Sequence, residues 1–456
     1  MFKIILKILC LLVFLVDGLV LGQLCGDDSE YKCMCKQKTD EKTHFPVVIA
    51  DCSGLNIDSF PAKVDQDINY LYLSVNNIEE LDPKLQKVVS NDLEILDLSH
   101  NKIRSINDEF FLNIYNLREL DLSHNQITSL GDDSIFQNLN NLEKLDLSFN
   151  ELKTLPNLVF MKLSKLRSLD LGYNYLGEFL TGSKDVLTET LGLNVNITSL
   201  SLNGLNISDF HNIYFEEFKG ITHLSLANNA LDNIPSLPYS VEYLDLSGNN
   251  FTFVSARYLN YHSLKELLLN RMPTLKEIHH YAFYNLFALE KLSITDCPNL
   301  KAFSELAFDV APKNERLHPK YLSLARNSLL RLNESYKYFF RTMDQVDLTQ
   351  NHWRCDCDIL WLREFEHILY KPHEIRCFYP SEIRHRSILD LKEKDLPDCY
   401  PAVYGKKSHR ILIIILVSAV LVLIGLIFYL IRYPTSWLGN KHIGPNSPYN
   451  LASTSE

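Results

Sequence analysis

The chain is 456 residues long, 46% apolar and 22% charged, an ordinary globular balance that excludes a disordered or fibrous chain. A formal net charge of −11, with no basic patch interleaved with aromatics in its repeats, argues against nucleic acid as a partner. Length sets no domain count, because a repeat array need not split into compact domains.

Residues 1–22 read as a secretory signal peptide. Lys3 gives a basic start, Ile4 to Val16 is apolar except for Lys7, and Gly22 is a small residue before the cut. A signal anchor is the weaker alternative, since Asp17 and Gly18 stop the run short of a membrane span. Residues 23–60 hold four cysteines, Cys25, Cys33, Cys35 and Cys52. Cys-x-Cys in the cytosol would suggest a metal site; behind a signal peptide, disulfides are expected instead.

Over residues 61–353 one phrase returns about every 24 residues: Leu-x-x-Leu-x-Leu-x-x-Asn-x-Leu. It is cleanest at Leu117, Leu120, Leu122, Asn125 and Ile127. With the first leucine as slot one, slots four and six are apolar around a free slot five, the period of a strand. Slot nine turns the chain away, and an asparagine there can bond the backbone of neighbouring turns. Slot nine is held in turn by Asn76, Asn101, Asn125, Asn150, Asn174, Leu205, Asn229, Asn249, Met272, Cys297, Asn327 and Asn351. One unit cannot bury its leucines, but a stack can, with parallel strands about 4.8 Å apart. The long steps from 174 to 205 and from 297 to 327 place insertions near Gly177–Asn196 and Lys301–Lys320. Leu205 and Met272 cannot make the asparagine's bonds, so the ladder is expected to weaken there. Cys297 reads as a buried thiol of that ladder, with an intermolecular disulfide as the alternative.

Slots two, three, five, seven and eight are expected to face solvent. Slot five carries Asp97, Asp121, Asp146 and Asp170 on four successive strands. Leu-Asp-Leu-Ser is a common form of the phrase and accounts for them; an acidic strip facing a partner and a calcium site are the alternatives. Slot eight carries His100, His124, Phe149 and Tyr173. Flat rings on an open sheet have no core to enter. They are candidate anchors for a partner, or else pack sideways on the next turn. Four glycosylation sequons, at Asn196, Asn206, Asn250 and Asn333, avoid the outward slots of the inner face.

Residues 351–402 bring four more cysteines, Cys355, Cys357, Cys377 and Cys399, beside Trp353, Trp361 and Leu362. After a linker at 403–410, residues 411–431 contain no charge, enough for one transmembrane helix. Tyr429, Tyr433 and Trp437 sit where an interfacial belt would. Lys406, Lys407 and Arg410 slightly favour a cytoplasmic N-terminal flank, but the signal peptide, sequons and cysteines place residues 23–410 outside. The expected site of action is therefore the plasma membrane, type I. Residues 432–456 are polar, expected to be disordered, and too short for a signalling domain; Tyr449 and Ser447-Pro448 are candidate phosphorylation sites.

Together these features resemble the extracellular form of the leucine-rich repeat family, from about Cys25 to Cys399. The resemblance implies an α/β, β-rich solenoid (a horseshoe) with a parallel inner sheet, plus the one transmembrane helix. It implies a convex spine of Phe136, Phe160, Phe218, Phe283 and Phe308. It implies cysteine caps at both ends, paired first to third and second to fourth. Departures are His352 where the family has proline, and longer N-terminal spacings with no proline after Cys25. The implied function is a receptor or adhesion protein that recognises an extracellular or cell-surface protein, homophilic or through a co-receptor. The alternative is an innate-immune or Toll-type co-receptor. No catalytic or phosphate-binding motif occurs, so no enzyme activity, cofactor or metal is expected. His279 and His280 are neighbours that alternate sides in extended chain, which argues against a shared metal.

Overall fold

The computed structural model describes residues 24–396 except 26–30, 41–43, 63, 65–66, 83–91, 212–213, 258, 309–316 and 318, and then residues 403–432. The expected signal peptide, most of the tail, part of the second insertion and Cys399 lie outside the described residues. The chain divides into two units, 1–391 and 392–456.

The first unit is built on one fourteen-stranded sheet whose spatial order follows the sequence. β1 (Met34–Thr39) and β2 (Pro46–Asp51) form an antiparallel hairpin. The next strands come one per phrase and all run parallel. β3 to β14 are Ile68–Tyr72, Ile95–Asp97, Glu119–Asp121, Lys144–Asp146, Ser168–Asp170, Ser199–Ser201, His223–Ser225, Tyr243–Asp245, Glu266–Leu268, Lys291–Ser293, Tyr321–Ser323 and Gln345–Asp347. Slot four sets the register: Leu96, Leu120, Leu145 and Leu169 pair in line, each at most 1% exposed. A slip of one residue would turn every such leucine to solvent, so the burial of one face fixes the pairing.

Slot nine ties the turns together. Asn125 Nδ2 donates to the carbonyls of Leu98 (3.0 Å), Leu122 (3.0 Å) and Ser123 (3.1 Å). Its Oδ1 accepts from the Ile103 backbone N–H at 3.0 Å. Asn150 and Asn174 repeat the pattern. The ladder weakens least where sulfur replaces the amide. Met272 Sδ accepts from the Asn249 N–H at 3.3 Å. The buried Cys297 thiol faces the carbonyls of Leu269 (3.4 Å) and Thr295 (3.3 Å), and burial pushes its pKa up to about 11. Leu205 has no such group. The turn before it leaves the pattern at Gly177 to enter the first insertion, and Gly177 packs so close that a Cβ would lie 2.1 Å from the Leu205 carbonyl oxygen.

Behind the sheet the five spine phenylalanines are each at most 1% exposed. Phe60, Phe110 and Phe111 extend the spine toward the N-terminus by edge-to-face contacts at 5.1 and 5.0 Å. The helical share is smaller than an α/β label implies. Among the described residues of this unit the α-helices are Gly177–Thr181 and Lys337–Phe340, Val186–Thr190 is one π-helical turn, and the other returns hold turns, short 3-10 segments and two-residue strands. A return of about a dozen residues anchored by one buried phenylalanine leaves little room for a helix. Both insertions are zipped to the preceding repeat in the same way. Leu158 and Phe160 donate to the carbonyls of Thr190 and Leu191 (2.7 and 3.0 Å), and Tyr281 and Phe283 to those of Leu306 and Ala307 (2.7 and 2.9 Å).

Disulfides close both ends. Cys25–Cys35 and Cys33–Cys52 pin the hairpin, and Cys355–Cys377 pins the C-terminal cap. Cys357 is also disulfide-bonded; its expected partner, Cys399, lies outside the described residues. The cap covers the last strand. Trp353 is fully buried, its Nε1 donates to the Leu348 carbonyl at 3.0 Å, and the Tyr370 N–H bonds the Val346 carbonyl at 2.8 Å. Without that cover the strand edge and its leucines would be a template for aggregation.

In the second unit Val403–Arg432 is one 30-residue helix, so residues 403–410, expected as a linker, form its first turns. No proline interrupts that stretch. Side chains are described from Ile414 to Tyr429, and all of those are exposed. Among the described residues, no helix is long and apolar enough to cross a membrane.

Candidate functional site

The inner face is the solvent side of the fourteen-stranded sheet, and its columns follow from the slots. Slot eight has a backbone demand that sequence reasoning missed. From Val75 to Gln350, all twelve slot-eight residues have positive φ, between 51° and 72°. The chain leaves each strand through a left-handed residue, a conformation open to glycine and moderately costly for others.

That shared conformation aligns the slot-eight side chains. His100 and His124 stack at 4.0 Å, His124 and Phe149 at 4.1 Å, and Phe149 and Tyr173 at 4.1 Å, with planes within 13°. The rod ends at Gly204, where a Cβ would lie 2.3 Å from the Tyr173 ring. Tyr173 reaches past it, and its hydroxyl accepts from Asn228 Nδ2 at 2.6 Å. The ring faces are therefore engaged with one another and only their edges meet solvent; Phe149 remains 41% exposed. Burial, then the neighbouring His100, lowers the His124 pKa. Further along, slot eight becomes ionic: Arg326 grips Asp296 through two bonds of 2.5 and 2.8 Å.

The acidic column is built into the turns. Asp97, Asp121 and Asp146 each accept the slot-seven backbone N–H at 2.9 Å, and Asp170 does so at 2.8 Å. Slot seven itself was expected to face solvent, yet Ser99, Ser123 and Ser148 are only 5–7% exposed. The Asp-to-backbone bond folds the chain over them. Burial raises the Asp121 pKa, and burial with the Asp146 charge raises that of Asp170 to about 6. Burial outweighs the turn hydrogen bond in both. Among the described residues no group of three or more His, Cys, Asp or Glu could hold a metal ion.

A charge ladder runs along slot two, and its signal was legible but unread. Signs alternate through Glu94, Arg118, Glu143 and Arg167, then through Glu242, Lys265, Glu290 and Lys320. Arg118 sits between Glu94 (3.4 Å) and Glu143 (3.3 Å), Lys265 meets Glu242 at 2.7 Å, and Lys320 meets Glu290 at 3.2 Å. Such exposed pairs contribute about 0–1 kcal/mol each, so they order slot two more than they stabilise the fold. At the C-terminal end a hollow of about 430 Å³ opens between Tyr321 on β13 and Tyr370 of the cap, floored by Leu292, Leu322 and Asp347. The repeat pattern could not show it, because Tyr370 belongs to the cap. The four sequon asparagines are exposed and none lies in slots two, three, five or eight.

Residues 91–135 and 131–176 match the family model described as leucine rich repeat. Human trophoblast glycoprotein is 34% identical over 93 residues, 20% of this chain and 21% of its own length. Tsukushi from Gallus gallus is 26% identical over 321 residues, 67% of this chain and 74% of its own. Among solved structures, a chain of an octameric complex of latrophilin 3, Unc5D and FLRT2 superposes with a TM-score of 0.50 at 19% identity, over 80% of this chain and 98% of that one. The chain thus matches about a fifth of the human relative's length, and the likeness to the solved chain is one of fold. The sequence match spans residues 91–176, and the same strand-and-asparagine geometry continues on either side of it, from Ile68 to Asn351.

Proposed function

We propose that this is a single-pass cell-surface protein whose inner face recognises an extracellular protein, as an adhesion molecule or receptor subunit. The observation that carries the reading is the inner face itself. Slot-two charges are paired along it, Arg118 with Glu94 and Glu143 and Lys265 with Glu242, a tyrosine-walled hollow opens at one end, and every sequon lies off it. A paired, ordered surface costs little entropy to bind, and pockets beside aromatics suit partner side chains. The exposed edges of Phe149 and Tyr173 are candidate contacts, with His100 and His124 continuing their rod. Asp97, Asp121, Asp146 and Asp170 act mainly by shaping the turns that carry them.

The extracellular placement rests on residues 1–22 as a signal peptide, the disulfide caps and the sequons. Trophoblast glycoprotein is by its name a glycoprotein, in keeping with four sequons here. Residues 411–431 are the candidate span: the described part, Ile414 to Tyr429, is exposed and apolar on every side apart from Ser418. The test of the adhesion reading is aggregation of suspended cells that express the full chain. Homophilic adhesion predicts clumping among expressing cells alone. Clumping only with cells of another type would indicate a heterophilic ligand. No clumping with any neighbour, together with co-purification of a signalling receptor, would replace adhesion by the co-receptor reading.

A further inference from the structure

A second surface lies apart from the inner face, over a small parallel sheet of Phe253–Val254, Glu277–Ile278 and Ala302–Phe303. A groove of about 870 Å³ opens above it, lined among others by Arg257, His279, His280, Tyr281, Lys301 and Arg331. The charge of this lining is unlike that of the chain. Arg257, Lys301 and Arg331 stand against Glu277 alone, +3 − 1 = +2, in a chain of net −11. Glu277 is itself engaged by His279 Nε2 at 2.8 Å. The exposed Lys276 precedes the lining residue Glu277 and stands one parallel step from Lys301, whose N–H bonds the Lys276 carbonyl at 3.0 Å. Arg331 is steadied by Asp356 at 2.8 Å, and Asp356 is shared with Arg354 at 3.4 Å.

Flat rings stand beside these cations. Phe253 is 41% exposed and lies parallel to the His279 ring at 4.7 Å and 2°. Tyr281 is 45% exposed on the groove wall. Guanidinium and ammonium groups pair with sulfate and carboxylate oxygens. Exposed ring faces take the apolar C–H face of a pyranose, which an acidic peptide does not offer. We propose that this groove binds a sulfated polysaccharide chain. The proposal shares the extracellular placement with the protein-recognition reading but not its surface.

Heparin is the probe, and full-length protein in detergent is the reagent. Wild type is expected to bind heparin at physiological salt and to lose about tenfold or more in affinity as salt rises to 0.5 M, because exposed charges are screened. Lys276→Glu with Lys301→Glu, both on exposed side chains, is expected to lower affinity by about tenfold while inner-face binding is kept. Phe253→Ala is expected to lower it several-fold. No binding at physiological salt, or wild-type affinity in the double variant, overturns the proposal. So does unchanged affinity in Phe253→Ala together with equal competition by polyglutamate, which would assign the groove to acidic protein segments. Arg104→Glu, a cation distant in sequence from the groove, serves as the control. If it weakens binding as much as the double variant, the attraction is general and the groove is not the site.

Discussion

At the residue scale, the left-handed turn at slot eight explains more of the inner face than hydropathy does. It holds four aromatic rings at stacking distance and requires Gly204 where the rod ends. Gly204→Ala would drive a methyl into the Tyr173 ring at positive φ. It should cost about 1–3 kcal/mol by displacing Tyr173 and its bond to Asn228, read as a lower urea midpoint of the full chain. An unchanged midpoint would show that the rod contributes nothing to the fold. Asp170 gives the opposite sign. Its folded pKa, about 6, lies above that of the unfolded chain, so the folded state holds a proton the unfolded state has lost between about pH 4 and 6. Stability from this group therefore falls as pH rises through that window, and the deficit is complete above it. Asp170→Asn keeps an acceptor for the Gly172 N–H and removes the buried charge. It should raise neutral-pH stability by about 1 kcal/mol, within the limit of about 3 kcal/mol set by the shift. A lower melting temperature at pH 7.4, or an unaltered pH slope, would contradict this. The aspartate column was visible in the sequence, but its turn role was not, because a carboxylate bonded to its own backbone and one facing a partner occupy the same slot.

At the element scale, what repeats was legible and what occurs once was not. Asn101, Asn125 and Asn150 announce the ladder because each turn needs the same four backbone groups satisfied. The sulfur contacts of Met272 and Cys297 are single solutions to a missing amide, and no period predicts them. The hollow at Tyr321 and Tyr370 joins a repeat to a cap and has no period either. The caps themselves were readable through their cysteines, and their physical task is the last strand. Cys377→Ser opens the loop back to Cys355 and loosens the segment that brings Tyr370 onto Val346. Loss of a native disulfide of this kind costs about 2–5 kcal/mol, so the variant should be retained inside the cell. Wild-type surface display with free Cys355 would show that the cap does not depend on that bond.

At the scale of the whole molecule, the chain separates two surfaces. The inner face carries a paired charge ladder, stacked rings and no sequon, while the outlying groove gathers cations in a chain that is acidic overall. Extracellular placement predicts that glycosidase treatment lowers the apparent mass of the mature chain. An unmoved mass, with the tail reached by antibodies on intact cells, would reverse the topology. The inner face can be tested directly by a wedge. Ser199→Asn, followed by Leu200 and Ser201, completes a sequon on β8 in the middle of the inner face. Proximity labelling on living cells, with the full chain tagged in its ectodomain, then compares wild type, this variant and Asn206→Gln. The account predicts that the wedge variant is displayed and glycosylated yet loses the surface protein labelled most strongly by wild type, whereas Asn206→Gln retains it. The same labelled protein at the same yield, with the added glycan shown to be present, would contradict recognition through the inner face.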